Sequence, residues 1–216
     1  MKSKDTIEKH IYCKACMKEM KVSPIRNLLE RDPLLCDECI SEIIKKLETR
    51  RIFDIPILFL SEYDGYLKSL LMNYKEYGDI ELAGCFLYIF QPFIRLMFPN
   101  SVFLPLPSSK KRIRKRGFAH LEEMLKASHL NYLSVFERDD DIEQKTQKGS
   151  HRFQNKGIYL GKEAEKLIGR HVVLFDDVMT SGSTFRECLK LVSNARVRKI
   201  SGLILMDHYN KGKITH

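Results

Sequence analysis

The sequence predicts an α/β fold with a mostly parallel sheet, preceded by a small module built on four cysteines. Three observations carry that expectation. From Ser101 onward, apolar strand-like runs alternate with amphipathic helical stretches, the pattern of a doubly wound sheet. One of those runs, Val172 to Phe175, passes directly into two acids and a glycine-bearing hydroxyl turn that opens a helix. Four of the six cysteines fall in two Cys-x-x-Cys pairs near the start of the chain, while Cys85 and Cys188 stand alone in apolar, helix-like segments.

Residues 1–49 read as a self-contained module ending in a helix from Asp37 to Leu47, where Ile40, Ile43, Ile44 and Leu47 share one face. Residues 50–100 read as a connecting helical or hairpin segment. Arg50 to Leu60 contains Pro56 and suits a connection or an edge strand. Tyr66, Leu67, Leu70 and Leu71 then recur at helical spacing, and a second helix from Ile80 to Met97 follows the turn at Tyr77-Gly78-Asp79. Residues 101–216 form the α/β domain proper. Strands are expected at Val102 to Leu106, Tyr132 to Phe136, Val172 to Phe175 and Ile200 to Met206, with helices at Phe118 to Ala127 and Thr184 to Val192. The charged, amide-rich run from Arg138 to Lys156 reads as a loop or an exposed helical hood.

A chain of 216 residues with 44% hydrophobic content can fill a real core, which excludes disorder over most of its length. The start MKSKDTIEKH has no apolar segment, and apolar runs such as Ile55 to Leu60 and Gly202 to Met206 fall far short of the ~18 residues that span a bilayer. No membrane insertion and a cytoplasmic location are therefore expected. Lys plus Arg number 37 against 28 Asp plus Glu, a net charge of +9 that favours a polyanionic partner or substrate and also aids solubility.

Cys13-x-x-Cys16 and Cys36-x-x-Cys39 are separated by nineteen residues, the spacing by which two knuckles deliver four thiolates to one tetrahedral ion. A segment this short has little core, so a metal would supply its folding free energy. With four protein ligands and no open position, the expected zinc site is structural. Lys14, Lys18 and Lys21 beside the first knuckle suit either phosphates or a solvated face.

In the segment from Val172 to Thr184, the buried strand fixes the following loop at its carboxyl end, where open α/β sheets bind ligands. The amides of Thr180, Ser181, Gly182, Ser183 and Thr184, with four hydroxyls among them, form a cradle for an anion, and Gly182 lets backbone approach closely. Asp176 and Asp177 would repel a phosphate. Their natural partners are hydroxyl donors or a magnesium ion about one sugar away. An ordinary capped helix needs one polar residue at such a turn, whereas six polar residues and a glycine stand here. Further upstream, Lys110, Lys111, Arg112, Arg114, Lys115 and Arg116 put six cations into seven positions just after a strand. A pyrophosphate-binding loop, a nucleic-acid track and a solvated charge run all fit that density. Tyr63, Tyr66, Tyr74 and Tyr77, interleaved with Lys68 and Lys75, suit either base stacking or half-buried packing.

The segment from Val172 to Thr184 resembles the phosphoribosyl pyrophosphate signature of type I phosphoribosyltransferases. The resemblance implies a Rossmann-like core in which Asp176 and Asp177 bind the ribose hydroxyls, with magnesium, and residues 180–184 hold the 5-phosphate. Over nearly the whole chain, the sequence is similar to the ComF family of competence proteins. That likeness adds Tyr63-x-Gly65 leading to Lys75-x-x-Gly78-Asp79, the stretch from Pro105-Leu106-Pro107 to Arg116-Gly117-Phe118, and Gln144 with Arg152 and Asn155. Ala119 stands where the family has Asn, and Gln147 where an apolar residue is usual. The resemblance implies cytoplasmic handling of single-stranded DNA during natural transformation, with an ATP-dependent helicase as partner; in that role the basic residues 110–116 are expected to hold the DNA backbone. Two alternatives stay open: an active phosphoribosyltransferase, with Asp176 and Asp177 on magnesium phosphoribosyl pyrophosphate and Lys110 or Lys111 on the leaving pyrophosphate, and a regulator that senses the sugar phosphate.

Overall fold

The computed structural model describes residues 11–20, 33–44, 46–63, 65–138 and 157–209. In chain order these begin with the first knuckle, helix α1 (Asp37–Ile43) and the hairpin β1 (Glu48–Ile52) and β2 (Ile55–Glu62). Helix α2 (Gly65–Glu76), a 3₁₀ turn (Ile80–Gly84) and the short helices α3 (Cys85–Tyr88) and α4 (Gln91–Met97) lead to strand β3 (Val102–Pro105). Then come α5 (Lys110–Arg116), α6 (His120–Ala127), the small pair β4 (Phe136–Arg138) and β5 (Ile158–Leu160), strand β6 (His171–Met179), helix α7 (Ser183–Ser193) and strand β7 (Lys199–Asp207).

Five strands form the main sheet in the order β1-β2-β7-β6-β3, parallel throughout except for the β1–β2 hairpin. The expected class, α/β with a mostly parallel sheet, is the observed one. Inside it, between β7 and β3, runs β6, where Val172, Val173, Leu174 and Phe175 are all fully buried. Such unbroken apolar runs belong to strands covered on both faces.

Three local expectations change. The stretch from Arg50 to Leu60 is a hairpin whose second strand lies inside the sheet, paired with β7 from Ile57 opposite Gly202 to Glu62 opposite Asp207. The sheet therefore draws strands from both sides of residue 100. Pro56 is accommodated near the start of β2, opposite Arg51 of the edge strand. The helix expected from Ile80 to Met97 is broken, with its halves bent by 59°. Pro92 sits in the first turn of α4, where its missing N–H is harmless but where it cannot continue a preceding helix. Between Tyr132 and Phe136 only a bridge from Tyr132 to Phe103 and the start of β4 are extended. Among the described residues, no single helix is long and apolar enough to cross a membrane.

The four-cysteine module packs on α2 and the 3₁₀ turn. Ser61 Oγ donates to the Ile43 carbonyl at 3.0 Å, and Lys14 pairs with Glu81 at 2.9 Å.

Candidate functional site

Because β2, β7, β6 and β3 run parallel, their carboxyl ends meet at one edge, and a cleft of about 240 Å³ opens there. Its walls come from the loop after β6, the loop after β3 with α5, and the ends of α2 and α6.

The loop after β6 is shaped by Gly182, which precedes α7 with φ +67°. A Cβ there would stand 2.9 Å from both Phe53 Cζ and Met179 Cε, so both the left-handed backbone and the close approach require glycine. Phe53 reaches this position from the tip of the β1–β2 hairpin, where Phe53 and Asp54 both have positive φ in a two-residue turn. Its ring stacks on Phe185 and lies 4.6 Å beneath the Arg186 guanidinium. Thr180, Ser181, Gly182, Ser183 and Thr184 all line the cleft, with Ser183 N–H donating to Ser181 Oγ at 3.4 Å.

Asp176 and Asp177 stand at the cleft floor in opposite electrostatic situations. Asp177 is buried, and its Oδ2 accepts from the Lys75 ammonium and from His120 Nε2 at 2.8 Å. Burial pushes its carboxyl upward, but the Lys75 charge and the His120 hydrogen bond outweigh that and hold it far below the usual carboxylate range. Asp176 has no ion pair among the described residues, although the Lys75 charge draws it down somewhat. Burial, then the Asp177 charge, push it up to about 8. His120 is itself lowered, by burial first, and stays a neutral imidazole. An ionised carboxylate only accepts, so the proton of His120 sits on Nε2, and Nδ1 is free to accept from Ser108 Oγ at 3.4 Å.

The basic run is a helix and not a loop. Ser109 Oγ caps it by accepting from Arg112 N–H at 3.3 Å, and Gly117 ends it with φ +90°. Helical spacing divides the six cations. Arg112 and Arg116 line the cleft; Lys110 lines a neighbouring hollow of about 210 Å³ beside Ile113 and Phe136. Lys111, Arg114 and Lys115 are exposed, Lys115 on Glu76 at 3.0 Å. Arg116 Nε donates to the Lys75 carbonyl at 3.0 Å, while its Nη1 is buried without a hydrogen-bond partner among the described residues.

The four tyrosines have separate surroundings. Tyr74 is fully buried and donates to the His120 carbonyl at 2.7 Å; Tyr66 donates to Cys39 Sγ at 3.0 Å. Tyr63 packs on His208, and only Tyr77, 81% exposed, is free to stack.

In the amino-terminal module, the Sγ atoms of Cys13, Cys16, Cys36 and Cys39 all lie within 4.8 Å of one another. Cys13 and Cys39 are 3.6 Å apart and Cys16 and Cys36 3.7 Å, close to the ~3.8 Å edge of a tetrahedron with metal–sulfur bonds of about 2.3 Å. The knuckle turn is held by Met17 N–H on the Cys13 carbonyl at 2.8 Å and Cys13 N–H on the Lys18 carbonyl at 2.9 Å. The donor set fits a thiophilic ion in a closed site. Lys14 and Lys18 are paired with Glu81 and Glu38. Lys21, Gln144, Gln147, Arg152, Asn155 and the hood after Arg138 lie outside the described residues.

Sequence reasoning missed the two residues that hold Asp177. Lys75 entered as part of a likeness and of the tyrosine–lysine pattern, never as a partner of the acids, and His120 not at all. Their one readable signal is position: each closes or opens a helix that abuts a strand end.

The chain is 24% identical over 144 residues to the competence protein ComFC of Streptococcus pneumoniae, covering 67% of this chain and 64% of that protein. It is 27% identical over 151 residues to ComFC of Bacillus subtilis, covering 67% and 61%. The matched region thus spans less than two thirds of either relative. Among solved structures, a hypoxanthine-guanine phosphoribosyltransferase from Bacillus anthracis superposes with a TM-score of 0.39 at 11% identity, over 63% of this chain and 74% of that one. Adenine phosphoribosyltransferase from Saccharomyces cerevisiae gives 0.38 at 13% identity, over 79% and 88%. No protein-family model matches the chain.

Proposed function

We propose, from the premise that the chain is ComFC-like, that it binds phosphoribosyl pyrophosphate in the strand-end cleft and handles single-stranded DNA in the cytoplasm during natural transformation. The observation that carries the ligand reading is the convergence on one cleft of the 180–184 loop, the Asp176–Asp177 pair and two arginines of α5. The loop amides and hydroxyls suit a terminal phosphate. Asp177, held ionised by Lys75 and His120, is placed to accept from sugar hydroxyls. Asp176 fits magnesium, which would offset the diphosphate charge. Arg112 and Arg116, on the opposite wall, suit the diphosphate.

On this reading the solvent-facing cations of α5, Lys111, Arg114 and Lys115, meet the DNA backbone, and an ATP-dependent competence helicase is the protein partner. Zinc in the cysteine cluster fixes the amino-terminal module against α2. A second reading, an active phosphoribosyltransferase, is favoured by the same arginines: their charge is aimed where a leaving pyrophosphate would develop. Pyrophosphate release with a panel of nitrogenous bases separates the two. The ligand reading is tested by calorimetry with magnesium phosphoribosyl pyrophosphate. Binding is expected for the wild type and lost in Asp176→Ala with Asp177→Ala; equal heats from both proteins would overturn it.

A further inference from the structure

At the opposite edge of the sheet, where β3 and β6 begin, lies a second and larger groove of about 710 Å³. Its lining includes Arg95 of α4, Arg170 just before β6, Arg198 just before β7, and His129. No carboxylate is among its described lining residues. We propose that this groove is a second track for single-stranded nucleic acid, gripping backbone phosphates through Arg95, Arg170 and Arg198. The inference rests on the reading that the chain handles single-stranded DNA.

Two features set these cations apart from ordinary surface charge. First, none of the three arginines pairs with a carboxylate among the described residues, in contrast to Lys115 on α5, which Glu76 neutralises. Arg95 donates to the neutral carbonyl of His129 at 3.3 Å, which aims its guanidinium without cancelling its charge. Second, the floor beneath them is rigid. Phe98 meets Phe103 and His171 edge-on at 6.0 and 6.1 Å. His171 spends both ring nitrogens on Ser101 at 2.8 Å and Ser201 at 3.0 Å. The groove is therefore a fixed trough with a cationic rim.

Its shape fits a strand better than a small anion. The three arginines come from α4 and from the adjoining lead-ins to β6 and β7, where Arg198 N–H donates to the Arg170 carbonyl at 2.8 Å, and all three line one open trough. Phe98 is only 8% exposed and Phe103 3%, so neither phenyl ring is offered to sandwich a base. Contacts made to phosphates alone predict weak sequence preference and a steep salt dependence.

The test is fluorescence anisotropy of a labelled oligothymidylate across a salt series, comparing wild type with Arg170→Ser/Arg198→Ser and with Lys111→Ser/Arg114→Ser on α5. Each phosphate contact on a single strand contributes about 0.7 to the slope of log affinity against log salt, so the groove variant should lose roughly 1.4. Both side chains are exposed, and an unchanged melting midpoint confirms a folded variant. As an independent measurement, a thiothymidine oligonucleotide crosslinked to the wild type should mark peptides carrying Arg170 or Arg198. An unchanged slope together with crosslinks confined to α5 would overturn the groove. So would binding of polyaspartate, and not of oligothymidylate, that depends on Arg170 and Arg198. If the wild type binds no oligothymidylate even at low salt, the DNA reading itself falls.

Discussion

Replacing Lys75 by Met tests the electrostatic design of the cleft most directly. The Lys75 side chain is 21% exposed and that of Asp177 only 7%, so the pair is largely withdrawn from water. Removing one partner of a buried pair costs about 3–5 kcal/mol, because the remaining charge is left uncompensated. Here His120 remains 2.8 Å from Asp177 and can take up a proton, which places the expected loss near the lower end, about 3 kcal/mol. For a chain of this size that lowers the melting midpoint by roughly 6–12 °C. Two further readouts distinguish this account from a packing defect. Losing the Lys75 charge removes a repulsion on His120, so nitrogen NMR of its ring should show the pKa rising relative to wild type. Adding Asp177→Asn removes the stranded charge, so the double variant should be less destabilised than the sum of the singles by about 2 kcal/mol in urea titrations. Additivity within ~0.5 kcal/mol, with an unmoved His120, would refute the reasoning.

Gly182→Ala should cost about 2–4 kcal/mol, from the left-handed backbone at φ +67° and from the 2.9 Å approach to a Phe53 ring that its neighbours hold in place. A urea midpoint equal to wild type would contradict the loop geometry. The affinity for magnesium phosphoribosyl pyrophosphate should rise with pH, because the ligand selects ionised Asp176 and its carboxyl is pushed up to about 8. Ionised Asp176 is the minor form at pH 6 and becomes abundant toward pH 8, so the wild type should gain on the order of ten-fold or more over Asp176→Asn across that interval, by calorimetry. Metal analysis should find one zinc ion per chain, lost in Cys13→Ser and on strong chelation, with an accompanying fall in the melting midpoint.

The parts of the structure legible in the sequence are those fixed by local chemistry. The β6 run, the acid pair and the hydroxyl turn are contiguous, and the two Cys-x-x-Cys pairs declare a common ligand by spacing alone. Less legible were features set by what lies across the fold. The basic run from Lys110 to Arg116 reads as a loop because its charge dominates attention. Yet Ser109 and Gly117 bracket it as helix caps, and helical spacing then turns Arg112 and Arg116 inward and Lys111 outward. His120 carries no motif of its own, and the motif that holds Lys75 does not say what the lysine touches. Their meaning comes from a contact with Asp177, 102 and 57 positions further along the chain, which no local pattern encodes.

One helix joins the two ends of this architecture. Along α2, Tyr66 donates to Cys39 in the cysteine cluster, Tyr74 donates to the His120 carbonyl, and Lys75 holds Asp177. The helix has twelve residues, too short to be stable from propensity alone, so its position depends on what it packs against. The cysteine module supplies contacts at its start and the cleft supplies contacts at its end. A carboxylate held ionised at Asp177 therefore depends on a lysine whose placement is set in part by the module at the other end of the same helix. This gives the amino-terminal module a physical reason to be fused to the α/β domain: it braces the element that keeps one acid of the pair charged while its neighbour is left free to titrate.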